Sequence, residues 1–159
     1  MKVDCDWNGK QNFVANINGF KVYMDAVKPF GEEKAPTPKQ LVLAALCGCT
    51  GMDIVGLLKK NKQELQKFKI EAEAGITANH PHELTDVKLK FMLEGTCDPA
   101  QVTEAVNLSQ TKYCAVSSMI SRGTSLTYDV SLNGKKIAEG ASEFQNRISK
   151  TDSAQEIDL

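Results

Sequence analysis

Cysteine is the residue type in this sequence with the widest chemistry, because a thiolate can act as a nucleophile, a metal ligand or a redox group. An odd number of cysteines, with no apolar signal segment in residues 1–10, is typical of reduced thiols in a protein that is not exported. We therefore expect a cytoplasmic protein and look for its function first among the five cysteines, which are Cys5, Cys47, Cys49, Cys97 and Cys114.

Two of the cysteines, Cys47 and Cys49, are separated by one glycine in a segment that is predicted to be helical. Residues two apart on a helix point to different sides, so this pair is poorly placed to clamp one metal ion or to close one disulfide. A zinc site would need two more ligands with suitable spacing. The two histidines, His80 and His82, lie in a predicted turn that is remote in the sequence. We expect no metal and no cofactor.

Cys114 stands at a predicted break between two helical segments. If a helix starts there, its free backbone N–H groups favour a thiolate. For Cys5, Cys47 and Cys97 we favour a plainer interpretation, as small apolar side chains of the core, since free cysteine is among the most buried residue types.

Residues 38–60 are predicted to form one long helix that carries Cys49. Thr37 can cap it and Pro38 suits its first turn, and residues 41–58 are apolar almost all round, which is typical of a helix buried on most sides. A membrane span is disfavoured by Asp53 and by the glycines in this stretch. Asp53 itself has two open interpretations: it orients a lysine or caps a polar cluster, or it is simply a satisfied buried carboxylate.

The remaining pattern predicts an α+β fold with antiparallel sheets, in a single domain spanning residues 1–150. Asn-Gly pairs between alternating segments indicate hairpins, and Pro-rich or polar segments indicate loops. The predicted elements are a strand meander at 2–25, a loop at 26–37, a second hairpin at 68–94, a C-terminal helix and strand within 99–133, and a polar, disordered tail at 151–159.

The charge balance excludes one function class and the long helix suggests a partner. The chain has 19 basic and 20 acidic side chains, and no basic stripe that would indicate nucleic-acid binding. A helix that is apolar on every side needs more cover than 159 residues readily provide. We therefore expect a homodimer, with no nucleic-acid or membrane partner.

Three stretches together resemble the OsmC/Ohr family of peroxide-related proteins, and the less characterised OsmC-like branch more than the Ohr branch. They are residues 36–53, which contain Cys-Gly-Cys-Thr-Gly-Met-Asp, residues 80–95, and residues 106–117, which contain Lys-Tyr-Cys-Ala-Val-Ser. The resemblance implies an intertwined homodimer, with two long helices at the centre and curved sheets around them. It also implies two redox cysteines, Cys49 as the peroxide-attacking thiol and Cys114 as the resolving thiol.

The implied chemistry is thiol-dependent reduction of a peroxide. The Cys49 thiolate becomes a sulfenic acid, Cys114 closes a disulfide with it, and an external dithiol reopens that bond. Apolar neighbours such as Leu46, Met52 and Met119 favour an organic hydroperoxide. Two alternatives use the same residues without rapid turnover: a redox-sensing or stress-related dimer, and a module that binds a hydrophobic ligand.

The sequence departs from the Ohr pattern at the groups that stabilise the thiolate there, an N-terminal arginine and a glutamate near the start of the long helix. Its two arginines, Arg122 and Arg147, lie in the C-terminal half, and Lys39 occupies the position ten residues before Cys49. A lysine such as Lys10 or Lys39 could substitute, although it lacks the planar fork of arginine.

Overall fold

A computed structural model of the protein describes residues 1–144. The predicted tail at 151–159, and Arg147, lie outside the described residues. The chain divides into two compact units, of which the first is Met1–Gly48 and the second begins at Cys49. The α+β class predicted from the sequence is confirmed, because three helices and seven strands are present among the described residues.

The first unit contains a small antiparallel sheet and the start of the long helix. Its strands are β1 (Asp4–Trp7), β2 (Phe13–Ile17) and β3 (Phe20–Met24), paired in that order. The turn at Asn18 and Gly19 joins β2 to β3 with positive φ at both residues, which is why an Asn-Gly pair occupies it. After β3 the loop is organised by the carboxylate of Asp25, which is 2% exposed.

Helix α1 (Pro38–Lys60) begins with a capping box. The backbone N–H of Thr37 donates to Gln40 Oε1 at 2.8 Å, and the N–H of Gln40 donates to Thr37 Oγ1 at 3.4 Å. Each side chain thus satisfies a donor that the first turn of a helix leaves free. Lys59 and Lys60 in the last turn complement the negative end of the helix dipole.

One line of residues along α1 is fully buried, at a spacing of four: Leu46, Thr50, Ile54 and Leu58 are each at most 1% exposed. The helix is also long and apolar enough to cross a membrane, with a mean hydropathy of 2.1 over an 18-residue window, of which 22% is buried within the chain. The sequence predicts a helix that is buried on most sides. In the structure, its own chain covers only one face of the helix.

The second unit contains a four-stranded sheet in the order β4 (Leu65–Ile76), β5 (Leu84–Gly95), β6 (Leu126–Leu132) and β7 (Lys135–Ala141). Every second residue of β5 from Val87 to Leu93 is buried, and so is every second residue of β6, so these strands supply one apolar face. Helix α2 (Pro99–Leu108) packs against β6 and β7, and Val102, Ala105 and Val106 are its buried residues.

This sheet differs in two features from the fold predicted from the sequence: one pair of strands is parallel, and one strand is additional. Strand β6 pairs with β5 in parallel, because the connection from Thr96 to Ser125 is long enough to carry the chain back across the sheet. The sequence pattern predicts no strand after residue 133, because Asn133-Gly134 marks the end of the last alternating segment, so strand β7 is an addition to the predicted fold. That pair is instead a hairpin turn with positive φ at both residues.

The connection between α2 and β6 is irregular. A π-helical turn (Ser109–Tyr113) follows α2 directly, and a short helix α3 (Ala115–Ile120) follows Cys114. The sequence predicts a continuous helix to about residue 112, and the π-helical turn widens its last part. Such turns are rare and are often found at functional sites.

Candidate functional site: two thiols and a carboxylate

Helix α1 presents Cys49 and Asp53 on the same side, because residues four apart on a helix lie one above the other. Both side chains are half-buried. Thr50 lies on the buried line of the same helix and is 0% exposed. One turn of α1 therefore carries a thiol, a carboxylate and a hydroxyl in the second unit.

Cys114 is brought to this turn by the π-helical segment. Its backbone N–H donates to Ser109 O at 3.0 Å, which closes the π-helical turn. Its own backbone is extended (φ −69°, ψ 104°), so that α3 can start immediately after it. Cys114 is the N-cap residue of α3, and its Sγ accepts a hydrogen bond from the backbone N–H of Ser117 at 3.3 Å.

These elements place three reactive groups together. The Sγ atoms of Cys49 and Cys114 and a carboxylate oxygen of Asp53 all lie within 4.8 Å of one another. The two cysteines are 65 residues apart in the sequence. A disulfide bond is about 2.05 Å long, so bridging requires the sulfurs to approach by less than about 3 Å.

A buried polar network adjoins one of the three groups, the carboxylate of Asp53. Gln110 Nε2 donates to Thr50 Oγ1 at 2.6 Å, and the hydroxyls of Thr50 and Ser109 are 2.8 Å apart. Ser109 Oγ donates to Asp53 Oδ2 at 3.1 Å, and Ser142 Oγ donates to Gln110 Oε1 at 2.6 Å. Thr50, Ser109 and Gln110 are all 0% exposed, so the network has little access to water.

Burial sets the protonation of the two deeper groups. It raises the pKa of the Cys114 thiol to about 11, while the hydrogen bond from the backbone N–H of Ser117 acts in the opposite direction and the nearby Cys49 raises it further. Burial also raises the pKa of Asp53, against the hydrogen bond from Ser109. Asp53 forms no salt bridge within residues 1–144.

The remaining predicted residues lie elsewhere. Cys97 is buried, as expected, and Cys47 is half-buried, with a pKa raised by burial. The prediction that Cys5 belongs to the core is wrong, because every residue of the short strand β1 is exposed. His82 lies in the turn between β4 and β5, where its Nδ1 is 2.9 Å from Thr77 O.

Sequence reasoning missed most of the polar network. The polar pair Ser109 and Gln110 follows an apolar helix without any periodic signal, and Ser142 comes after a strand that was not predicted. Asp53 accepts a hydrogen bond from Ser109, and no lysine among residues 1–144 forms a salt bridge with it, so the predicted lysine partner is absent there. A capped polar cluster and a satisfied carboxylate both fit this contact.

The same three groups offer one donor atom each to a metal ion. Structural zinc takes four ligands, and its cysteine ligands must be thiolates. Three donors fall one short of that number, and the raised pKa of Cys114 opposes the thiolate. The arrangement therefore fits a pair of interacting thiols better than a closed metal centre.

The fold and the cluster define a class of protein: an α+β chain whose long helix carries one cysteine close to a second cysteine, beside a buried polar network. The OsmC-like protein family matches residues 31–129 of the chain. Protein YhfA of Escherichia coli K12 is 30% identical over 130 residues, which cover 80% of this chain and 95% of YhfA. The chain belongs to the OsmC-like family, as the sequence motifs indicated.

Solved structures agree on the fold. A hypothetical protein from Aquifex aeolicus VF5 has a TM-score of 0.75 and 25% identity, over 83% of this chain and 95% of that one. An organic hydroperoxide resistance protein OsmC from Legionella pneumophila has a TM-score of 0.62 and 17% identity, over 82% of this chain and 97% of that one. The fold class predicted from the sequence, α+β of the OsmC type, is confirmed.

Proposed function

We propose that the protein reduces organic hydroperoxides with Cys49 as the attacking thiol and Cys114 as the resolving thiol. The observation that carries this proposal is the pairing of two sulfurs within 4.8 Å by elements that are far apart in the sequence. The proposal is also supported by the similarity of the fold to that of the organic hydroperoxide resistance protein OsmC from Legionella pneumophila.

The different surroundings of the two thiols support the assignment of roles. Cys49 is half-buried, so a small peroxide can reach it, whereas Cys114 is 0% exposed. The raised pKa of Cys114 keeps it protonated and unreactive at neutral pH. A resolving thiol must wait in this way until the first sulfur has been oxidised.

The proposed reaction has two steps on the protein. The Cys49 thiolate attacks the outer oxygen of the hydroperoxide; the S–O bond forms as the O–O bond breaks, and the alkoxide takes up a proton and leaves as an alcohol. The Cys114 sulfur then attacks the sulfenic acid, which releases water and leaves a disulfide. An external dithiol reduces that disulfide by exchange.

Exposed apolar side chains on α1, which carries Cys49, and on α3, which Cys114 caps, support an organic substrate. Met52 on α1 is 78% exposed and Met119 on α3 is 61% exposed, so neither side chain is occupied by core packing. The test is a comparison of rates for cumene hydroperoxide and hydrogen peroxide. A faster reaction with hydrogen peroxide would contradict the preference.

We also propose that the protein is a cytoplasmic homodimer. The apolar helix α1 is covered by its own chain over only 22% of its most apolar window, and Met52 and Val55 on it are exposed. A second copy would remove this surface from water. Light scattering should give twice the chain mass of 17.4 kDa, and Met52→Glu should shift the protein towards that single-chain mass.

A redox sensor with slow turnover is the second candidate. The observation that favours it is the deep burial of Cys114 together with its pKa of about 11, which slows resolution. In a sensor the Cys49 sulfenic acid would persist for minutes after one equivalent of peroxide. Trapping with dimedone separates the two functions, because a working peroxidase would leave little sulfenic acid to trap.

The experiment that tests the proposed function is a peroxide-consumption assay with dihydrolipoamide as the dithiol. Cys49→Ser should abolish consumption. Cys47→Ser is the matched control, since it removes a half-buried thiol from the same helix two residues away. Full activity in Cys49→Ser, or equal losses in both variants, would show that Cys49 is not the attacking thiol.

A further inference from the structure

The position of the Asp53 carboxylate beside both sulfurs is not explained by a purely structural role. Its carboxylate lies within 4.8 Å of both sulfurs. Oδ2 accepts the hydrogen bond from Ser109, and Oδ1 accepts none from the described residues. One oxygen is thus held in position while the other is free to exchange a proton with the thiols.

The hydrogen bonds of the network behind Asp53 all donate towards its carboxylate. An amide nitrogen can only donate, so Thr50 Oγ1 accepts from Gln110. Ser109 gives its single hydroxyl proton to Asp53, so its oxygen must accept from Thr50. Gln110, Thr50 and Ser109 therefore form a chain of donors that ends on the carboxylate. Such a chain stabilises the ionised form of Asp53 and fixes its rotamer.

We propose that Asp53 is the proton-transfer group of the thiol pair, a role that rests on the proposed peroxide chemistry and adds a third catalytic residue to it. Asp53 lies on the same helix as Cys49, and it is close to Cys114, which is the N-cap residue of α3. No lysine or arginine among residues 1–144 forms a salt bridge with it. Ser109, Thr50 and Gln110 are positioning residues, which act through Asp53.

The proton balance closes over one catalytic cycle. The Asp53 carboxylate takes the proton of Cys49 as the sulfur attacks, and gives it to the departing alkoxide, which leaves as an alcohol. The regenerated carboxylate then takes the proton of Cys114 and gives it to the hydroxide that leaves the Cys49 sulfenic acid as water. In one cycle the two cysteines together lose two electrons to one peroxide molecule, and Asp53 returns to its ionised form.

The electrostatics of the site support this role. Burial raises the pKa of Asp53 from its ordinary value of 3.8, and this makes it a stronger base and a group that more readily holds a proton. A group that holds a proton beside the sulfurs can pass it to a departing alkoxide. Replacing Asp53 with asparagine should therefore affect two reactions of the same sulfur to different extents, according to whether the leaving group needs a proton.

The first measurement uses iodoacetamide, which reacts with a thiolate and has a leaving group that needs no proton. Alkylation of Cys49 at pH 7, followed by peptide mass spectrometry, should therefore slow far less in Asp53→Asn than the peroxide reaction does. The second measurement is the single-turnover rate with cumene hydroperoxide, whose leaving alkoxide does need a proton. This rate should fall by about a hundredfold in the variant, at the lower end of the usual range for general acid–base catalysis.

The pH profile adds a readout that simple loss of structure would not produce. Between pH 8 and pH 6 the peroxide rate of Asp53→Asn should fall more steeply than that of the wild type, because in the variant no neighbouring carboxylate takes up the proton of the attacking thiol. The wild-type rate should fall less than tenfold, because the proton lost by the thiol is kept on Asp53. Asp53→Glu, which restores a carboxylate, should recover part of the shallow profile.

Two comparisons make the outcome decisive. Glu104→Gln removes a carboxylate from an exposed position on α2 and should leave both rates unchanged. If the wild type consumes peroxide and Asp53→Asn does so at the same rate, or if both of its reactions slow equally, the role of Asp53 is refuted and the proposed function stands. If the wild type itself does not consume peroxide, the proposed function fails.

Discussion

The buried thiol of Cys114 should make the stability of the protein fall at alkaline pH in a way that can be attributed to one residue. Its pKa is raised from an ordinary value of 9.0 to about 11, mainly by burial. Below pH 9 the folded and unfolded chains both hold the proton, and the full contribution to stability is present. Between pH 9 and pH 11 only the folded chain holds it, so the free energy of unfolding decreases as pH rises.

The size of the effect follows from the shift. A difference of two pK units corresponds to about 2.7 kcal/mol over the whole range. Between pH 8.5 and pH 10.5 the part that is lost amounts to about 1.7 kcal/mol, by integration of the linkage relation. Burial also raises the pKa of other groups, such as Cys97 and Tyr128, so the pH dependence of the wild type alone cannot be attributed to Cys114.

The assay is urea unfolding at fixed protein concentration and with excess reductant, on the wild type and on Cys114→Ser. Serine keeps the side-chain size and is a favourable N-cap for α3, so the variant should fold. The stability difference between the two proteins should change by about 1.7 kcal/mol from pH 8.5 to pH 10.5. Cys5→Ser, which changes an exposed thiol, should follow the wild type. A difference between wild type and Cys114→Ser that does not vary with pH would refute the account of Cys114 as a buried, protonated thiol.

Three further predictions concern the framework. Gln110→Leu removes both hydrogen bonds of a fully buried amide and should lower the free energy of unfolding by about 2 kcal/mol in urea denaturation; an unchanged midpoint would contradict the network. Gly95→Ala would place a methyl group against the carbonyl oxygen of Glu64, at a φ of 153°, and should cost about 2–3 kcal/mol in the same assay. The pKa of Asp25 is lowered, first by the backbone N–H of Lys34, so its contribution is present above about pH 3.8 and lost as pH falls further. Asp25→Asn should therefore weaken acid dependence, which circular dichroism from pH 5 to pH 2 would detect.

Several elements could be predicted because their signals are local. Thr37 and Pro38 mark the start of a helix by side-chain and backbone chemistry within one turn, and α1 begins at Pro38. The Asn18-Gly19 pair marks a hairpin because few residues adopt positive φ. By contrast, the parallel pairing of β5 with β6 depends on how a 30-residue connection crosses the sheet, and no local pattern specifies that.

The sequence by itself determined the family, the long apolar helix and the two candidate redox cysteines, because each is encoded in contiguous residues. Only the tertiary structure decided that Asp53 and the two sulfurs meet, and that Ser109 and Gln110 complete a polar chain behind them. The physical reason is that these contacts join residues more than 50 positions apart. Their proximity results from packing α1 against the segment that follows α2, and their pKa values result from the burial that this packing creates.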